Sequence, residues 1–211
     1  MKNLPRLFRL LELTRSQPQY GYTVAGIKKA ELSDLAQHHY LVAIMAWQLA
    51  LAANAAGGKL SVEKVLEFSL IHDLGELFGG DIAMPYARAN PEARRKAKAF
   101  EAENQKFVAG FFGPQGEKFL ALSTEINDAG TDEALVSKLA DYAEVTHYKQ
   151  YMGKLTQGDV KMAAQAMQKK LAKMHDRKAA YALRSFLRVW TRALLKGRDE
   201  ELFEQAKLLK I

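Results

Sequence analysis

Adjacent His72 and Asp73, followed by Glu76 and Asp81, make the stretch from Ser69 to Asp81 the part of the chain best equipped for chemistry. An imidazole nitrogen beside a carboxylate oxygen suits a divalent metal that accepts mixed nitrogen and oxygen ligands. Apolar Val65, Phe68, Leu70 and Ile71 lead into the pair, so a helix from about Ser61 to Phe78 is expected to deliver it. On that helix His72 and Glu76 stand at i and i+4 and share a face. Gly79 and Gly80 then stop the helix and turn the chain, which lets Asp81 fold back towards the same pocket. For a lone His-Asp pair the plainer reading is a buried histidine satisfied by its own aspartate. The further acidic and basic partners at usable positions favour a ligand site.

The elements around this stretch must bring those partners to it. Ser33 or Asp34 starts a long helix reaching about Ala56, closed by Gly57-Gly58. His38 falls on its apolar stripe with Leu35, Val42, Met45 and Leu49 and faces inward, whereas His39 points about a quarter-turn away. A short Gly-Gly connection makes this helix antiparallel to the next, so that His38 can approach His72 and Asp73. The segment from Ser16 to Ile27, rich in aromatics and glycine, reads as a loop that either contacts a ligand or lies over the core. Helices are also expected from Asn3 with Pro5 in the first turn, from Asn90-Pro91-Glu92 to Gly113-Pro114, and from Glu117 to Asn127. Another runs from Asp132 to Met152, with Leu135, Val136 and Leu139 inward and Asp141 at the border of that face. The last ones run from Asp159 to Met174, from Lys178 to Leu195, and briefly from Asp199. No alternating strand pattern, internal repeat or linker interrupts them, which predicts an all-α, single-domain helical bundle over residues 1–211.

Composition narrows the function classes. The 211 residues contain no cysteine, which excludes disulfides and thiolate metal sites and fits a reducing compartment. No stretch reaches the roughly 18 uninterrupted apolar residues of a membrane span, and charges interrupt any signal-like start, so a cytoplasmic protein is expected. The net charge of +7 fits nucleic acid or anionic small substrates. Its clusters, such as Arg94, Arg95, Lys96 and Lys98, are interleaved with small and apolar residues at helical spacing and read as solvated helix faces. No aromatics alternate with them as a base-stacking platform requires, so a nucleic-acid partner is disfavoured.

The order His38, His72-Asp73, Asp141, each on a different predicted helix, resembles the HD-domain metal-dependent phosphohydrolases, and within them the compact 5′-deoxynucleotidase-type group. The similarity extends from about Pro18 to Tyr148 and includes Gln37-His38, His72-Asp73-Leu74-Gly75-Glu76, Gly80-Asp81-Ile82, Lys98 with Glu101, and Leu139-Ala140-Asp141. It implies that His38, His72, Asp73 and Asp141 bind one divalent ion, of Mn, Co, Ni, Zn or Fe type. It further implies that Glu76 is the general acid/base, that Asp81 holds the attacking water or a substrate hydroxyl, and that Lys98 contacts substrate. Asp141 rests most on the resemblance, because chemistry alone does not separate it from Asp128, Asp132 or Glu144. Relatives carry an Arg that meets phosphate and a Trp that packs on the nucleotide where this chain has Gln19 and Tyr22, and a Glu where it has Gln37. Gln19 can still donate a hydrogen bond but lacks the charge and fork of an arginine. Proteins of this kind are often dimers, so a homodimer is expected.

The chemistry agrees with that resemblance. A phosphate monoester is anionic and resists attack by hydroxide; a metal acidifies its water ligand and screens phosphoryl charge. Two neutral histidines and two carboxylates leave a divalent site close to neutral, so an anion can approach. The expectation is a phosphomonoesterase acting on nucleoside 5′-monophosphates. The alternative is a ligand-sensing or interaction module that keeps the metal with little or no turnover, and the retained Glu76 and Asp81 favour the enzyme.

Overall fold

Asp34 accepts a hydrogen bond from the Gln37 backbone N–H at 2.8 Å and starts a 21-residue helix, around which the other elements pack. The structure, a computed structural model, describes residues 3–196. In chain order its α-helices are α1 (Leu4–Leu11), α2 (Leu35–Ala55), α3 (Val62–Ile71), α4 (Met84–Ala89), α5 (Pro91–Ala109), α6 (Gly116–Asp128), α7 (Asp132–Tyr151), α8 (Gln157–Leu171) and α9 (Arg177–Lys196). Short 3₁₀ turns join several of them, and no strand occurs among the described residues, so the fold is all-α. Among the same residues no helix is long and apolar enough to cross a membrane.

The main core is built on the small-residue face of α2. Val42, Ala46, Leu49, Ala50 and Ala53 meet Leu135, Leu139 and Ala143 of α7 and Leu183, Leu187 and Trp190 of α9. The alanines let α7 approach closely, which matters because α7 carries Asp141. A second cluster of Leu10, Leu35, Leu74, Leu77, Val108 and Phe119 binds the turn after α3 to α1, α5 and α6. Gly57, at φ 91°, supplies the left-handed residue that reverses the chain between α2 and α3.

Most expected helices appear, with differences at their ends. Ser61 and Thr131 cap α3 and α7 through their side chains, whereas Asn3 and Asn90 stand at helix starts without a side-chain bond. α8 begins earlier than Asp159, because Thr156 and Asp159 form a reciprocal capping box. The short helix α4 was not expected, and the one from Asp199 lies outside the described residues. The largest difference is at the centre: α3 stops at Ile71 instead of running to Phe78. His72 and Glu76 are therefore not successive turns of one helix. Asp73 leaves helical geometry (φ −116°, ψ 16°), and this break aims the side chains of two adjacent residues at one point, which a continuous helix would spread by about 100°.

Asp132 and Asp176 lock α9 to this frame. Asp132 accepts from the N–H groups of His175 and Asp176, and Asp176 accepts from those of Lys59, Lys178 and Ala179. The Ala179 and Lys59 bonds hold the Asp176 carboxyl below its ordinary pKa. Asp176→Ala is expected to lower unfolding free energy by about 1–2 kcal/mol. A depressed folded-state pKa stabilises above the unfolded aspartate value of about 3.9, and that contribution disappears as pH falls through the folded value. Urea unfolding of the two proteins should therefore differ near neutrality and converge in acid.

Candidate metal centre and active site

The beginning of α2, the end of α3 and the middle of α7 meet at two buried histidines, His38 and His72, whose Nε2 atoms lie 3.1 Å apart. The other nitrogen of each ring is committed. His38 Nδ1 is 2.7 Å from Glu144 Oε2, and His72 Nδ1 is 2.9 Å from the Ser69 carbonyl oxygen. Both partners are acceptors, so each Nδ1 donates, a tautomer assigned from the hydrogen-bond pattern. The two Nε2 atoms then face each other. Asp73 Oδ2 stands 3.5 Å from one and 3.3 Å from the other, and Asp141 Oδ1 is 3.7 Å from His38 Nε2.

Ring nitrogens and carboxylate oxygens that converge in this way call for positive charge between them, a proton on His38 or a metal ion. Ligand atoms bonded at about 2.1 Å around one ion stand roughly 3.0–3.4 Å apart, close to the separations among His38, His72 and Asp73. Those three offer donor atoms within 4.8 Å of one another. Burial opposes a proton on His38, but the carboxylates of Asp73 and Glu144 outweigh it and hold its pKa well above the ordinary histidine value. Burial likewise opposes charge on Asp73, yet His72 and His38 keep it ionised. The donor set thus fits a divalent ion accepting nitrogen and oxygen ligands.

Around this centre lie several carboxyl groups in different states. Burial, then the charges of Asp73, Asp81 and Glu101, push the Glu76 pKa well up. Asp81 is also raised by burial, while a hydrogen bond donated by the Gly21 backbone N–H partly offsets the rise. A Cβ on Gly21 would stand 3.2 Å from Asp81 Oδ1, so the loop is held against this carboxylate. The turn carrying Glu76 is clamped by α5: Asn104 Nδ2 donates to the Gly75 carbonyl at 2.8 Å, and a Cβ on Gly75 would come within 3.0 Å of the Glu101 carbonyl oxygen. Lys138, one turn before Asp141, places Nζ 3.6 Å from its Oδ2. Burial disfavours that charge, but Asp141, Asp73, Glu101 and Glu76 together hold the Lys138 pKa above normal.

The loop residues are close by. Tyr22 is buried, and its hydroxyl donates to Glu144 Oε2 at 3.0 Å, so Tyr22, Glu144 and His38 form one chain of hydrogen bonds. Gln19 is buried with Nε2 unpaired. Lys98 lies outward of Glu101 on α5, in a cleft with Arg88 and Arg94.

The chain is similar to known proteins. The HD-domain family profile matches residues 11–184, a span that includes His38, His72, Asp73 and Asp141. The chain belongs to the HD-domain family. Its curated relatives include a 5′-deoxynucleotidase of Vibrio cholerae, 26% identical over 156 residues, spanning 72% of this chain and 79% of that protein. A 5′-deoxynucleotidase of Photorhabdus laumondii is 23% identical over 164 residues, 76% of this chain and 82% of the relative. Among solved structures, a conserved hypothetical protein from Pyrococcus furiosus superposes with a TM-score of 0.68 at 22% identity, covering 89% of this chain and 98% of its own. A predicted metal-dependent phosphohydrolase from Magnetospirillum magnetotacticum gives 0.64 at 14% identity, covering 93% and 95%.

Within this HD-domain protein the structure brings His38, His72 and Asp73 to one point and places Asp141 Oδ1 3.7 Å from His38 Nε2, with Asp81 near enough to raise the cost of ionising Glu76. Of the other acids weighed beside Asp141, Asp132 caps the chain before α9, and Glu144 sits behind His38. Sequence reasoning weighed Glu144 only as an alternative to Asp141 and gave no role to Lys138 or His39. The spacing of Lys138 and Glu144 at three residues either side of Asp141 was the available signal. His39 is buried against the His72 ring, 4.8 Å between centroids, and burial followed by the His72 charge lowers its pKa, so it packs as a neutral ring.

Two substitutions separate a ligand from its support. His72→Ala is expected to abolish stoichiometric metal. Glu144→Gln, which removes the charge behind the His38 Nδ1–H, should weaken metal binding about 10- to 100-fold while leaving the helical circular dichroism unchanged. Elemental analysis and metal titration calorimetry check both.

Proposed function

We propose that this chain hydrolyses phosphate monoesters, with nucleoside 5′-monophosphates as the substrate class. The ion is of Mn, Co, Ni, Zn or Fe type, since mixed nitrogen and oxygen ligation suits these better than Mg or Ca. His38, His72, Asp73 and Asp141 are its ligands. The observation that carries the reading is the juxtaposition of a buried cluster of imidazole nitrogens and carboxylate oxygens with a carboxyl, Glu76, whose environment favours the protonated form.

When bound, the ion supplies an acidified water and neutralises charge on the phosphoryl oxygens. The chain's own residues do the rest. Glu76, neutral through burial and the nearby Asp73 charge, gives its proton to the leaving alkoxide oxygen. Asp81, fixed by the Gly21 N–H, orients the attacking water. Lys138 offsets the negative charge that Asp141 and Asp73 would otherwise present to an incoming anion. The unpaired Gln19 Nε2 is a neutral donor available to a phosphoryl oxygen, in place of a charged arginine. A metal-holding module without turnover would need neither a protonated Glu76 nor a tethered Asp81. The names of the 5′-deoxynucleotidase relatives support a nucleotide substrate, and the cysteine-free chain fits a cytoplasmic setting.

A homodimer fits the outer face of α2. Tyr40, Ile44, Trp47 and Leu51 recur at helical spacing and stay exposed, Tyr40 at 64%. A single apolar stripe of this kind is self-complementary across a two-fold axis. Light scattering should give twice the chain mass for the unaltered protein and the monomer mass for Ile44→Asp with Trp47→Asp; a monomeric unaltered protein would remove this part of the reading.

The catalytic assignment is tested by Glu76→Gln. It should retain the metal and lose roughly a hundredfold or more in kcat on nucleoside 5′-monophosphates, the scale of a general acid/base group. Undiminished turnover would assign the proton to another residue.

A further inference from the structure

Beside the acidic centre lies its electrostatic opposite. Along α5, Arg94, Lys98, Glu101 and Gln105 occupy positions i, i+4, i+7 and i+11 and so form one stripe. Its inner end, Glu101 and Gln105, packs on Gly75 in the catalytic turn. Its outer end opens into a cleft of about 440 Å³ between α4 and α5, lined by Ala87, Arg88, Pro91, Arg94, Arg95 and Lys98. Arg95 is paired with Glu92, and Arg88 points a guanidinium nitrogen at the Met162 sulfur. Arg88, Arg94 and Lys98 have no carboxylate at ion-pair distance among the described residues. Further cations face this region: burial, then the charges of Lys138 and Lys173, with a contribution from Lys98, hold Lys170 of α8 below the ordinary lysine range. Arg88, Arg94 and Lys98 share the cleft without a carboxylate at ion-pair distance among the described residues, so they repel, and an anion between them relieves the repulsion.

Position along the stripe defines the anion. From the Glu101 turn to Arg94 the helix rises about 10 Å, too far for the reacting phosphate and close enough for another group of the same small molecule. The cleft lining contains no aromatic side chain, so a polynucleotide strand would find no stacking platform there. We propose that this cleft binds a second phosphate, and that the preferred substrate is a nucleotide carrying two separated phosphates, one cleaved at the metal centre and one held by Arg88, Arg94 and Lys98. The proposal rests on the phosphomonoesterase reading for the identity of the first site. The second site also compensates for Gln19, because the missing arginine charge is supplied at the other end of the ligand.

Metal-loaded Glu76→Gln protein, titrated calorimetrically, should bind deoxyadenosine 3′,5′-bisphosphate about tenfold or more tighter than deoxyadenosine 5′-monophosphate, the gain from one or more charge-assisted contacts. Adding Arg88→Ala and Arg94→Ala should bring the two affinities to within about twofold of each other, with helical circular dichroism unchanged. Equal affinities before those substitutions, or a preference that survives them, would overturn the second site. So would a short single-stranded DNA that displaces the bisphosphate at lower concentration than any mononucleotide. In the otherwise unaltered enzyme, kcat/KM should favour the bisphosphate by a similar factor. Failure to turn over either nucleotide, with the binding preference intact, would remove the phosphomonoesterase reading and leave the second-phosphate site standing.

Discussion

Two imidazole Nε2 atoms facing each other at 3.1 Å are the interaction on which the centre of this protein depends. Each is fixed by what its ring does on the far side, one on a buried carboxylate and one on a backbone carbonyl. Rotating either ring would leave a buried N–H without an acceptor, at a cost of about 1–3 kcal/mol. The rings therefore cannot relieve their mutual repulsion by turning away, and positive charge between them becomes the stabilising solution. Glu144 is central to this because it serves both His38 and Tyr22. One oxygen of this buried carboxylate accepts both bonds, which ties the loop before α2 to the ligand on α2.

Holding the second half of the site is a matter of close backbone approach. The turn after α3 carries Asp73 and Glu76 outside regular helix, where backbone bonds alone would not fix it. Leu74 and Leu77 anchor it from beneath, and Asn104 with the surface of α5 closes over Gly75. The same helix that clamps the turn carries Glu101 inward and Lys98 and Arg94 outward. α5 thus joins an acidic pocket to a basic cleft, and the gradient along it suits a ligand whose negative charge is distributed over its length.

The acidic groups are also differentiated by what surrounds them. Asp73 is kept ionised by two histidines, whereas Glu76 meets burial and three other carboxyl groups and is driven towards its neutral form. Separating the protonation states of nearby carboxyls in this way leaves one charged beside the histidines and the other able to hold a proton. Lys138 limits the accumulated negative charge without entering the ligand cluster, its ammonium lying against the outer oxygen of Asp141.

The sequence by itself determined the helical composition, because the apolar spacing, the Asp34, Ser61 and Thr131 caps and the Gly57-Gly58 break are local features. It also singled out His38, His72 and Asp73, whose types and order are unusual on apolar helix faces. What it could not decide was how α3 ends. Local propensity continues the helix through Leu74 and Leu77, but packing against α5 and the convergence of His72 with Asp73 favour a break at that point. Nor could it rank the acids on and around α7. Asp132, Asp141 and Glu144 are chemically alike; only the approach of the segment before α9 makes the first a cap, and only the approach of α2 makes the second a neighbour of the His38 Nε2 and the third the buried support of that histidine. The basic residues of α5 read as solvated surface for the same reason. Their spacing is legible in the chain, but the opposing wall of the cleft comes from α4 and only folding brings it there.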